Sequence, residues 1–179
     1  MTFYAKSSDN TYFGVSSSQV APSGCYSVPS RPDSSKSDYS WDAASSSWIR
    51  GVTATLSSLE KKKDQIIALG AIYNGHTYQI SDGTPDYLGS LARSVLAIEA
   101  GISAPSGGTY PDISNNEITL TDDKLVAMAK AVGSYWAKVV TKWRAYKTIV
   151  RGYADIPGGL TADQQADALD ITQGWPVNG

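Results

Sequence analysis

"AIYNGHTYQISDGTPDYLGSL", residues 71–91, is the stretch whose reading decides the fold. Asn74-Gly75 is the dipeptide best suited to a type I′ hairpin turn, in which both central residues need positive φ. Residues 71–73 and 76–80 then form its two strands. By strand alternation, His76, Tyr78 and Ile80 share one face, and Thr77 and Gln79 the other. Beyond the hairpin, Thr84 can cap a helix over 84–100 with Pro85 at its first position. Leu88, Leu91, Ala92, Val95, Leu96 and Ile98 supply its apolar stripe, and Gly101 stops it.

The same logic extends in both directions. Upstream, Leu56, Leu59, Ile66 and Ile67 fall at helical spacing over 53–69, with residues 60–64 forming a solvated charged face. Lys61, Lys62 and Lys63 stand between Glu60 and Asp64 and read as wet surface. Downstream, residues 110–113 and 117–120 bracket Ser114-Asn115-Asn116 as a second hairpin. Thr121 then caps a long helix over 121–152, with Asp122 and Asp123 against the positive end of its dipole. Within it Leu125, Ala129, Val132, Trp136, Val139, Trp143, Tyr146 and Val150 alternate at spacings of four and three, a heptad-like seam. Trp136, Val139, Trp143 and Tyr146 are its candidate packing or oligomer residues. A Pro-Gly-Gly turn leads to a short helix over 161–172, capped by Thr161, with Leu160, Ala166 and Leu169 as its apolar side. Trp175 is expected to dock as an anchor.

The first fifty residues differ in character. Fifteen are Ser, with Pro22, Pro29 and Pro32, a composition that favours turns and extended chain. Aromatic residues recur among them, which disordered linkers lack. "FYAKSSDNTYFGV" reads as a hairpin turning around residues 8–10, and "YSWDAASSSWI" as a second. Tyr4, Tyr12, Phe13, Trp41 and Trp48 are the candidate partner-binding residues, because aromatic side chains among small polar ones suit recognition surfaces. The expected class is α+β: a small N-terminal β-hairpin region, 1–50, then a helix-hairpin-helix-hairpin-long helix domain, 53–179. On this reading the first part is the contact module and the second the scaffold.

Composition limits the chemistry. The chain of 179 residues has one His, one Cys and three Glu, few parts for a metal cage or a Cys/His nucleophilic pair. No metal or cofactor is expected. Cys25 sits in a Ser/Pro-rich loop with no second Cys to pair with and reads as a bystander. His76 with Asp82 or Asp86 could form a general-base dyad, and Asp122 with Asp123 a carboxylate pair, yet a hairpin residue and helix N-terminal charges explain them more simply. The net charge of -2 gives no electrostatic reason to bind nucleic acid. No apolar run is long enough to cross a membrane, and the N-terminus lacks the basic start and apolar core of a secretory signal. A soluble protein made and matured in the cytoplasm is expected.

The stretch from Lys61 to Trp175, with "YNGHTYQISDGTPDYLGSLARSVLAIEAG", "NNEITLTDDKLVAMAKAV" and "ITQGWP", resembles the C-terminal domain of small tail proteins of tailed bacteriophages, the tail-fibre and tail-fibre-assembly proteins. "FYAKSSDNTYFG" and "PSRPDSSKSDYSWDAASSSWIRG" are similar in style to their leading segments. The resemblance implies a non-enzymatic protein that assists assembly of a tail fibre, or caps it, in the bacterial host cytoplasm, with later retention in the virion tail left open. Its partner would be a tail-fibre or baseplate protein, with a homo-oligomer also open. The alternative it leaves is a structural fibre or baseplate subunit that binds a host surface glycan through the aromatic N-terminal part. It offers no catalytic residues.

Overall fold

The computed structural model describes all residues except 9–11, 17–19, 31, 33–38, 81–86, 103–107 and 179, and only the backbone of residues 16, 87 and 88. The order is β1 (Thr2–Lys6), β2 (Tyr12–Ser16), β3 (Cys25–Val28), β4 (Ser40–Asp42), β5 (Ser47–Ile49), α1 (Val52–Ala68), β6 (Ala71–Tyr73), β7 (His76–Tyr78), α2 (Tyr87–Glu99), β8 (Thr109–Pro111), β9 (Glu117–Thr119), α3 (Asp122–Arg151) and α4 (Ala162–Ala168). The class is α+β, as expected. Thr84 and Pro85, the expected start of α2, lie outside the described residues together with Asp82, Asp86 and most of the turn at 8–10 and the loop at 103–108.

The chain forms two compact units, one of Met1–Leu59 with Tyr146–Ile171, the other of Glu60–Ala145 with Thr172–Gly179. The N-terminal region is therefore grouped with the end of α3 and with α4, where the sequence suggested a border near residue 50.

In the first unit, β1 is the central strand of the sheet β2-β1-β3, and β4 pairs with β5. Both expected hairpins are present. The third strand, β3, fell in the segment read as a loop. Its prolines, Pro22 and Pro29, lie outside the strand, and Cys25 opens it, paired with Lys6. Ala5, Val28 and Trp41 form a small core with Phe3, Tyr26 and Trp48 against it. Trp41 and Trp48 stand directly opposite across β4 and β5 with ring centroids 5.5 Å apart, edge to face.

α4 packs where α1 begins. The Asp163 carboxylate accepts from the Val52 N–H at 2.7 Å and so supplies the N-terminal acid that α1 itself lacks. The Asp167 carboxylate accepts from the Arg50 N–H at 2.8 Å. In return the Arg50 guanidinium donates to the carbonyls of Leu169 at 2.6 Å and of Ala166 and Asp167 at 3.4 Å, the orphan acceptors at the end of α4. Thr161 caps α4 as expected, and Gln164 completes a capping box with it. Two details differ from expectation. α4 ends at Ala168 rather than 172, since Arg50 satisfies its last carbonyls and Leu169 turns extended. Leu160 is exposed, leaving Ala166 as the buried residue.

In the second unit, Asn74 and Gly75 have φ of 50° and 81°, the conformation a type I′ turn requires. β7 ends at Tyr78, two residues early, although Ile80 is still fully buried. Gly101, at φ 77°, ends α2 in a Schellman motif, with Ile102 N–H bonded to Ala97 C=O and Gly101 N–H to Ile98 C=O. The core gathers Ile66, Tyr78, Ile80, Leu91, Tyr110, Leu125, Met128, Val132, Tyr135 and Val139, with Trp175 packed on it as the expected anchor.

The α3 seam shifts by one residue at two places. Leu125, Val132, Val139, Tyr146 and Val150 are buried as expected, but the rows between them are held by Met128 and Tyr135. Ala129, Trp136 and Trp143 are only half-buried. Lys63 lies 4.8 Å over the Trp143 ring and bonds Glu60 and Asp64, so Lys63 is partnered rather than simply wet.

Removing the cap on α1 should cost what such caps are worth. Asp163→Ala is expected to lower unfolding free energy by about 1 kcal/mol, and Asp163→Asn, which keeps the acceptor, by less. Denaturant melts followed by circular dichroism check this; equal loss in both variants would assign the effect to charge and not to the cap.

Candidate functional site

An apolar concave feature lies in the second unit between α2 and α3, an open groove of about 500 Å³ lined by Leu91, Ala92, Val95, Leu96, Ala129, Lys130, Gly133 and Trp136. It arises because the apolar stripe on α2 is wider than the face the core takes up. Leu91 is buried, and the next buried position on α2 is Ser94, whose hydroxyl bonds the buried Tyr110 hydroxyl. Ala92 and Leu96, both expected in the stripe, remain exposed, Leu96 at 64%.

On α3 the groove uses the row beside the buried seam. Small residues, Ala129 and Gly133, make its floor and the half-buried Trp136 one wall. Gly133 has ordinary helical geometry, and a Cβ placed there would meet nothing within 4 Å. A glycine inside a helix costs about 0.5–1 kcal/mol relative to alanine. Here no packing within the described residues requires it, and its effect is to deepen the groove. The groove's volume falls in the range of ligand and peptide pockets, and Lys130 is its one charged lining residue among those described.

His76 occupies a second cluster. The two hairpins meet there, the Ile113 N–H donating to Thr77 C=O at 2.7 Å. His76 Nδ1 lies 3.5 Å from Asp112 Oδ2, so the carboxylate beside the histidine is Asp112, which the sequence did not single out. That carboxylate is occupied by its own turn. It accepts from the N–H groups of Ser114 and Asn116, each at 2.9 Å, and from Asn116 Nδ2 at 3.0 Å. The Asn116 side chain first, then the backbone donors and His76, hold Asp112 below the usual carboxylate range. Asn115 at φ 62° completes the turn. Beneath it Tyr78 is fully buried, its hydroxyl without a hydrogen-bond partner among the described residues, and burial, then the negative charge of Asp112, push that phenol up. A carboxylate that organises a loop and a neutral phenol facing the core make a structural junction between hairpins. Among the described residues no group of three or more His, Cys, Asp or Glu could hold a metal ion.

The candidate aromatic residues of the N-terminal region separate into two sets. Tyr4 and Trp41 are buried in the first unit. Tyr12 and Trp48 are half-buried and pack edge to face at 5.9 Å, while Phe13 is about half exposed. The seam residues divide likewise: Val139 and Tyr146 are core, and Trp136 and Trp143 are half-buried. The groove itself was not foreseen, although the surplus of apolar positions on α2 was its visible sign. No helix among the described residues is long and apolar enough to cross a membrane.

Comparison of the chain with known protein families, with known proteins and with solved structures finds no match.

Two predictions follow from this geometry. Gly133→Ala should stabilise the protein by about 0.5–1 kcal/mol, read as a rise in the denaturation midpoint; a loss instead would mean that the helix needs glycine there. Asp112 has a folded pKa depressed from 3.8, so its contribution is present above that value and lost as the pH falls through the folded pKa. Asp112→Asn should therefore melt below wild type at pH 7, with the gap closing in acid below about pH 4. A gap independent of pH would assign the loss to loop shape alone.

Proposed function

We propose that the chain works by binding another protein and not by catalysis, with the groove between α2 and α3 as its docking surface. The observation that carries this reading is the combination of exposed Leu96, half-buried Trp136 and a helix-interior glycine in one open apolar groove. Apolar surface gathered in one concavity and lined by small and aromatic residues is the form a helix-in-groove interface takes.

The sequence resemblance supplies the setting. It supports a tail-fibre-associated protein of a tailed bacteriophage that assists assembly of the fibre or caps it, acting in the host cytoplasm, with retention in the virion tail left open. The groove suits such a role because an assembling fibre exposes unpaired apolar segments before its own interfaces close. The alternative of a glycan-binding fibre or baseplate subunit has less to draw on, since burial of Tyr4 and Trp41 leaves Phe13 and the partly covered Tyr12 and Trp48 as stacking surfaces.

The test uses the phage that encodes the chain. Loss of the gene should give particles lacking fibres, and Gly133→Leu, which fills the groove floor from an exposed position, should reproduce that defect with the protein still folded. Particles with a full set of fibres after deletion of the gene would overturn the assembly role. Fibre-competent particles carrying Gly133→Leu would move the docking surface elsewhere.

A further inference from the structure

The charge on α3 is as uneven as its apolar surface. After Asp122 and Asp123, the helix carries Lys124, Lys130, Lys138, Lys142, Arg144, Lys147 and Arg151 and not one carboxylate, in a chain whose net charge is -2. Lys124, Lys130, Lys138, Arg144 and Arg151 are exposed and make no ion pair among the described residues. A helix stabilised on its own account would place Glu or Asp four residues from some of these cations. None is present within the helix, so the charge of these five side chains is open to something outside it.

Part of this charge lies against the groove. Lys130 lines it directly. Arg144 falls eleven residues beyond Gly133, which at 100° per residue returns to within about 20° of the same face, roughly 16 Å further along. Among the described residues no acidic side chain lines the groove. An occupant would thus meet an apolar floor with cations at its edge and further along the same helical row.

We propose that the segment docking in this groove is an acidic amphipathic helix, its apolar stripe against Leu91, Val95, Leu96 and Trp136 and its carboxylates toward Lys130 and Arg144. The inference rests on the protein-binding reading given above and adds the chemistry of the partner. Small residues at 129 and 133 let a helix approach closely, and the row of cations fixes which flank of that helix must be negative. Nucleic acid would use the same cations but gains little from an aliphatic trough. An anionic membrane would favour a convex apolar face over a concave one.

The test titrates the full-length protein with a fluorescein-labelled helical peptide of about twenty residues, Leu along one face and Glu along both flanks. Its counterpart carries Lys in place of every Glu. A double-stranded DNA oligonucleotide and phosphatidylglycerol vesicles serve as competing probes. The acidic peptide should bind by anisotropy and shift the backbone amide resonances of α2 and of α3 around Gly133. Lys130→Glu with Arg144→Glu should weaken it by about tenfold or more, and raised salt should weaken it further. Gly133→Leu should abolish it while circular dichroism stays that of wild type.

Equal binding of the Lys peptide at the same resonances would overturn the acidic assignment and leave the groove as a protein site. Binding of neither peptide overturns the proposal, with the assembly role still judged by the fibre content of particles. Tighter binding of DNA or of vesicles at the same resonances overturns it in favour of that ligand.

Discussion

The turn Arg50-Gly51-Val52 is where two helix ends are satisfied at once. Asp163 caps the start of α1, and Arg50 caps the end of α4, so each helix supplies what the other's terminus lacks. The turn leaves no spare room: a Cβ on Gly51 would stand 2.5 Å from Asp163 Oδ1. Thr55, fully buried one turn later, bonds Arg50 C=O and Ala166 C=O, which makes the junction a closed set of polar contacts. Asp42 joins it from the tip of the β4-β5 hairpin, accepting from Gln164 Nε2 at 2.9 Å while holding its own turn through Ser45. The position of α4 is thus specified by side chains more than a hundred residues away in sequence. This is also why the first unit takes in α4, although the sequence changes character near residue 50.

What could be read in advance was what local chemistry dictates. Asn74-Gly75 has few alternatives to a tight hairpin, Gly101 few alternatives to a helix stop, and Thr161 with Gln164 forms a box within a single turn. Each of these depends on residues within about five positions of one another. What could not be read depends on pairing at a distance. β3 has no strong alternation and exists because β1 offers it an edge, and the last turn of α4 is set by Arg50. Asp112 meets His76 only because two separate hairpins are joined by the Ile113 N–H and the Thr77 carbonyl.

The seam of α3 shows a subtler limit. Spacings of four and three fit the row 125, 129, 132, 136, 139 as well as the row 125, 128, 132, 135, 139, and these rows differ by 100° only at alternate positions. Periodicity locates the apolar side of such a helix but not its centre. Tertiary packing buried Met128 and Tyr135 among Tyr78, Ile80 and Leu91, while Ala129 and Trp136 pack against that core from its edge.

The groove is the consequence of that choice. Once Met128 and Tyr135 fill the core, Ala129, Gly133 and Trp136 form a second apolar row that the fold covers only in part. On α2 the selection of Leu91 and Ser94 leaves Ala92 and Leu96 in the same position. A sequence reading counts every apolar residue at helical spacing as core, so it takes this surplus for a thicker stripe. The candidate site was legible as an excess and not as a place. The N-terminal aromatics carry the opposite error: Tyr4 and Trp41 were counted as recognition surface among serines, and two short sheets proved enough to bury them. In both regions the deciding quantity was how much apolar surface the neighbouring elements could cover, which follows from packing and not from spacing.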